Sequence, residues 1–243
     1  MPRVLFTDRV GVRPGPADQQ RDAEPALVGA SSGPFARLNL GDAVGDAPDA
    51  VEANRRSVSA ALGTPVVWMR QVHGARVAVV SGPAAEPVPD VDALVTAEPW
   101  VGLGVLVADC VPVVLAGPGA VGVAHAGRRG LVAGVLPAAL DALGRLGAPP
   151  DSVDVWLGPA ICGRCYEVPA GMQAEVETAA PGSSCSTASG TPGLDLRAGL
   201  AAQAQLAGVR GVRVDRSCTA ESPSLFSFRR KAVTGRMAGL VRL

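Results

Sequence analysis

From Val101 to Ala126 the chain is built almost wholly of Val, Leu, Ala and Gly, broken only by Asp109, Cys110, two prolines and His125. Apolar runs this short, rich in β-branched residues and bounded by turn signals, read as buried strands rather than helices. One run, 101–107, closes on Ala108-Asp109-Cys110. A later one, 119–124, closes on His125-Ala126-Gly127. Val111–Ala116 reads as a strand between them, followed by a turn at Gly117-Pro118-Gly119. A hairpin of this kind brings Cys110 beside His125. Alternation along an extended chain, however, predicts that Asp109 and Cys110 face opposite ways.

The other of the two histidines, His73, sits in Gln71-Val72-His73-Gly74, again at the edge of an apolar segment. One thiol and two imidazoles make a three-ligand metal set with a fourth position open. The long separations between His73, Cys110 and His125 match no local zinc motif. Spacing alone therefore leaves two readings: a metal site, or a half-buried His, a core Cys and a second His satisfied by backbone. Small neighbours (Gly74, Ala108, Ala124, Ala126, Gly127) leave room for a ligand.

The remaining chain mixes both kinds of element. A short strand is expected within residues 1–12, then a loop over 13–34. A helix capped by Asp49 runs through 51–62 and stops at Gly63. Residues 66–73 and 76–80 read as strands. Helical spacing over 130–146 contains Pro137, which either kinks the run or marks a later start. A strand over 153–158, a helix over 168–178, a surface loop over 179–193, a helix near 195–207 and a strand from Val209 follow. This irregular order predicts an α+β fold, mixed β-sheets packed with flanking helices, in a single domain over 1–243.

The formal net charge is zero, so no long-range field draws the chain to nucleic acid. Of 22 basic residues only Lys231 is a lysine. Arg128-Arg129, Arg229-Arg230 and Arg236 are candidate anion contacts, because guanidinium matches phosphate oxygens as a fork. Residues 101–116 are too short to cross a membrane and contain Asp109 and Pro112. Five cysteines, an odd number, and a start without a long apolar core point to a reducing, cytoplasmic setting. Cys162-Gly-Arg-Cys165 is a CxxC without a second pair, since Cys185 and Cys218 stand alone in sequence. The CxxC could be redox-active or half of a structural zinc site, but with no second pair these thiols read first as incidental. No heptad or exposed apolar repeat is legible, so a monomer is expected.

Several motifs occur together in one order: Gln-Val-His-Gly (71–74), Ala-Asp-Cys-Val-Pro-Val (108–113), Ala-His-Ala-Gly-Arg-Arg-Gly (124–130) and Gly-Pro-Ala-Ile (158–161) with Tyr166-Glu-Val. Cys218-Thr219, Phe226-Ser-Phe-Arg-Arg and Thr234-Gly-Arg-Met-Ala complete the set. The chain resembles, over nearly its whole length, the YfiH/YlmD family, whose members carry the labels multicopper polyphenol oxidase and laccase domain. The resemblance implies a YfiH-like fold and zinc held by His73, Cys110 and His125. It also implies phosphorolysis of adenosine, inosine or methylthioadenosine to base and ribose 1-phosphate, together with adenosine deamination. The family usually has Trp where this chain has Arg128, and often Tyr where it has Phe228.

Purine nucleoside and phosphate are the expected partners, with Arg55, Gln71 and Arg229 as substrate contacts. Arg129 is the expected anion donor in catalysis, and Asp109 the candidate acid/base. A cysteine hydrolase with Cys110 as nucleophile and His125 as base, an amidase acting on peptidoglycan precursors, is the competing reading. It matches the label peptidoglycan editing factor that some members carry. Phenol oxidation is disfavoured, because a laccase-type copper enzyme needs far more imidazoles than two histidines provide.

Overall fold

The computed structural model describes residues 2–15 and 27–243. The buried apolar runs form the middle of a layered α+β structure. A six-stranded mixed sheet has the order β12-β9-β7-β8-β5-β4. These strands are β4 (Val77–Val79), β5 (Ala93–Thr96), β7 (Val111–Gly117), β8 (Ala120–Ala126), β9 (Asp154–Leu157) and β12 (Gly211–Val214). A five-stranded sheet, β2-β1-β13-β6-β3, lies against it. It comprises β1 (Arg3–Thr7), β2 (Val12–Pro14), β3 (Val66–Val67), β6 (Gly102–Val107) and β13 (Met237–Arg242). A small hairpin, β10 (Ser184–Ser186) with β11 (Pro192–Leu194), stands apart. The helices are α1 (Pro48–Leu62), α2 (Arg128–Val132), α3 (Val135–Arg145), α4 (Ala170–Ala179) and α5 (Leu196–Leu206).

Side-chain alternation explains why the central strands are almost wholly apolar. Along β7, Val111, Val113 and Leu115 join a core with α3 and α5, while Val114 and Ala116 face the other sheet. The second group meets Val105 and Leu103 of β6, Phe6 of β1 and Met237 of β13. On the far side of the five-stranded sheet, Leu5 and Leu240 pack on Val58 and Leu62 of α1. A strand covered on both faces favours apolar side chains throughout, and buried exceptions such as His125 of β8 and Thr96 of β5 each have a hydrogen-bond partner. Each fully buried Val or Leu contributes on the order of 1.5–3 kcal/mol. Among the described residues no helix is long and apolar enough to cross a membrane.

The structure departs from the sequence reading in several places. Of the expected 66–73 strand, Val66–Val67 pairs with β6; beyond it Met69 makes a single parallel bridge to Val88, and the chain turns at His73, whose φ is 63°. Asp49 lies inside α1, not at its cap; Ala47 precedes the helix and Pro48 starts it, with φ preset by the ring. The 130–146 run splits at Gly134, whose left-handed φ of 78° ends one helix and starts the next. Pro137 then lies in the first turn of α3, where no helical hydrogen bond is lost. The expected loop over 179–193 contains the β10–β11 hairpin, joined by Gln173 Nε2 donating to the carbonyls of Cys185 and Gly193. The tail provides β13, paired on both sides by β1 and β6, which the expectations did not contain. Of the expected loop over 13–34, residues 16–26 lie outside the described residues.

Candidate metal centre and arginine-lined cavity

The centre is assembled around Asp92, a fully buried carboxylate just before β5. Its Oδ1 accepts from the His73 amide at 2.9 Å and from His125 Nδ1 at 2.8 Å. Its Oδ2 accepts from the amides of Gly74 and Val72 at 2.7 and 3.2 Å. One side chain thus holds the His73 turn in its left-handed conformation and sets the ring orientation of His125. These contacts outweigh the cost of burial and keep the Asp92 carboxyl below its usual range.

With Nδ1 of His125 engaged, Nε2 is left for a ligand. The hairpin β7–β8 sets Val111 opposite Ala126 and Pro112 opposite His125, so Cys110 arrives beside the ring as the sequence predicts. Cys110 Sγ lies 4.0 Å from His73 Nε2, and the two imidazoles meet edge to face at 4.6 Å. The donor atoms of His73, Cys110 and His125 all fall within 4.8 Å of one another. Burial alone would push the Cys110 thiol up, but His125 and His73 outweigh it and bring it to about 6. Burial likewise opposes charge on His125, and Cys110 with Asp92 raises it to about 9. One thiolate-prone sulfur and two oriented imidazoles suit a divalent metal that accepts N and S donors.

Gly127 makes this approach possible. A Cβ there would stand 2.9 Å from Cys110 Sγ and 3.0 Å from His73 Cδ2. Gly127→Ala is therefore expected to spread the three donors and weaken metal binding at least tenfold, read by competition with a chelator. Unchanged affinity would show that the donors need not be this close.

The triad opens into a cavity of about 630 Å³. Asp109 and Cys110 both line it, contrary to the alternation argument, because Asp109 lies between β6 and β7 with φ at 82°. A left-handed residue interrupts the pleat and turns two neighbours the same way. Asp109 Oδ1 accepts from Thr219 Oγ1 at 2.6 Å and Oδ2 from the Arg229 amide at 2.7 Å. Gln71 also lines the cavity, but its amide is paired in both directions with the backbone of Leu106. Arg229 lies at the wall with its guanidinium 5.0 Å over the Tyr166 ring.

Two expected residues fall elsewhere. Arg129 is exposed on α2 and does not line the cavity; its neighbour Arg128 does, since each helical step turns the side chain by roughly 100°. Arg55 lies on α1, donates to the Leu40 carbonyl, stacks on Trp68 and pairs with Asp42 at 3.4 Å. It reaches the cavity only through Asp42, which lines it. Arg70 and Arg236 line it directly. Asp92 escaped the sequence reading altogether. Its signal was an acidic residue opening a strand that pairs beside His125.

The family model described as multi-copper polyphenol oxidoreductase laccase matches residues 26–243. The chain belongs to this family. Two curated relatives of the chain share the name purine nucleoside phosphorylase. One from Streptomyces coelicolor is 53% identical, covering 88% of this chain and 91% of the relative. Another from Mycobacterium tuberculosis is 52% identical over 88% and 87%. Among solved structures, the Neisseria meningitidis protein NMB0706 superposes with a TM-score of 0.84 at 34% identity, covering 100% of this chain and 94% of that one. YlmD from Geobacillus stearothermophilus gives 0.81 at 35% identity, over 89% and 88%. The laccase-family fold and the YfiH-like resemblance read from the motifs therefore agree.

Proposed function

We propose that this chain is a zinc-dependent purine nucleoside phosphorylase acting on adenosine, inosine and methylthioadenosine, with adenosine deaminase activity. The observation that carries the reading is the opening of the His73–Cys110–His125 triad into a cavity walled by Arg70, Arg128, Arg229 and Arg236. The shared name of the relatives supports it. Zinc supplies Lewis acidity at the triad when bound. The arginines bind the phosphate that displaces the purine at the ribose C1′, through charge-assisted forks. Tyr166 and Phe228 offer flat faces at the wall for the purine. Asp109, with both oxygens engaged, positions Arg229 and the Thr219 segment rather than exchanging protons. Arg128 takes the place proposed for Arg129 from sequence.

Product analysis tests this directly: adenosine with phosphate gives adenine and ribose 1-phosphate, and inosine marks deamination. No adenine from metal-loaded protein would reject phosphorolysis. Arg128→Ala is expected to raise KM for phosphate roughly ten- to a hundredfold, the worth of a hydrogen bond to a charged group, with a smaller change for adenosine. An unchanged KM for phosphate would place the anion elsewhere.

The cysteine hydrolase reading has one observation in its favour. Asp92, His125 and Cys110 stand in the order of an orienter, a base and a nucleophile, with the thiol brought to about 6. The two readings separate on alkylation: zinc shields Cys110 in the first, whereas a free nucleophile reacts at once. Two histidines remain too few for a laccase-type copper set.

A further inference from the structure

We propose that Cys162, Cys165, Cys218 and Glu221 form a second, closed metal site for a zinc-like divalent cation, separate from the His73–Cys110–His125 centre. Their four donor atoms all lie within 4.8 Å of one another. The sequence reading separated Cys218 from the CxxC, and the fold reunites them. Ala160 pairs with Cys218 in a parallel bridge, and the Thr219 amide donates to the Ala160 carbonyl at 3.1 Å. That pairing lays two turns of equal spacing face to face, Cys162-x-x-Cys165 and Cys218-x-x-Glu221. Paired C-x-x-C turns are the usual frame of a structural zinc site, and a carboxylate is an accepted ligand in place of one sulfur.

Each turn is rigid. The amides of Cys165 and Tyr166 both donate to the Cys162 carbonyl at 3.0 Å. The Ser222 amide donates to the Cys218 carbonyl at 2.9 Å, and Arg230 Nη1 binds the carbonyls of Thr219 and Ser222 at 2.7 Å each. The Cys162 amide points at Cys218 Sγ, 3.4 Å away. A disulfide would use two sulfurs and leave the third thiol and Glu221, whose Oε1 lies 3.5 Å from Cys165 Sγ, unexplained. All five cysteines are free.

Four protein donors leave no open position, so the site is structural. It braces the cavity wall from behind. Thr219, next to Cys218, donates to Asp109, and Arg229 reaches the Cys165 carbonyl at 3.5 Å.

The test is cobalt(II) titration of reduced, metal-stripped protein, with bound metal counted and thiolate-to-cobalt absorption followed. Two equivalents are expected in the wild type. Cys110→Ala keeps one, with the larger part of the thiolate absorption, since three sulfurs remain around it. Cys165→Ser keeps the other. Glu221→Gln, an exposed change that leaves folding intact, weakens the second equivalent at least tenfold. A single equivalent in the wild type that vanishes in Cys110→Ala overturns the proposal. So does a Cys162–Cys165 disulfide in the native protein, or a Glu221→Gln titration matching the wild type. Each outcome counts the ions held at one site, so failure of this site is distinguishable from failure of the proposed activity.

Discussion

Cys110→Ala is expected to lose the ion held between His73 and His125, and nucleoside turnover with it, while the fold persists. The thiol contributes little to packing, because Cys110 is only partly buried at the edge of the inter-sheet core. Removing it leaves two imidazoles, too few to hold zinc in competition with water. Metal polarisation is worth several kcal/mol, so turnover should fall by roughly a thousandfold or more. Thermal unfolding should move by only a few degrees. Turnover that survives loss of this ion would make the metal irrelevant to the chemistry.

Asp92→Asn is the second large effect, and it acts without touching substrate. The carboxylate accepts from three successive amides and from His125, in a fully buried position. An amide of the same shape turns one acceptor into a donor facing other donors. Each orphaned buried group costs about 1–3 kcal/mol. The His73 turn loses its anchor and His125 its orientation. Metal affinity should drop about 10–100-fold, as for other partners of ligating histidines. Stability should fall as well, unlike in Cys110→Ala. Measuring chelator competition and urea midpoints on both variants separates the two cases. Wild-type affinity in Asp92→Asn would mean that the ring is oriented by something else.

The β7–β8 hairpin was legible because its apolar residues alternate between two cores and a Pro-Gly turn divides them. The same hairpin made the meeting of Cys110 and His125 legible. His73 joined them through the motif resemblance, not through spacing. Other features depend on contacts that no local pattern encodes. Asp92 looks like any acidic residue before a strand until the 72–74 amides fold over it. The shared direction of Asp109 and Cys110 rests on one left-handed residue, which alternation cannot anticipate. The motif resemblance singled out Arg129, and which of the two arginines faces the cavity depends on where α2 starts. β13 was hidden because Ala238 and Gly239 blur its alternation, although it lies between β1 and β6. Cys218 reaches the CxxC only through the Ala160 bridge.

The most direct test of a metal-centred phosphorylase is adenine release from adenosine, measured with and without phosphate, before chelation, after it and after zinc is restored. Adenine is expected only when phosphate and metal are both present, with activity returning on zinc addition. Stripped protein that turns over adenosine at the original rate would contradict it. So would reloaded protein that releases no adenine while Cys110 stays open to alkylation.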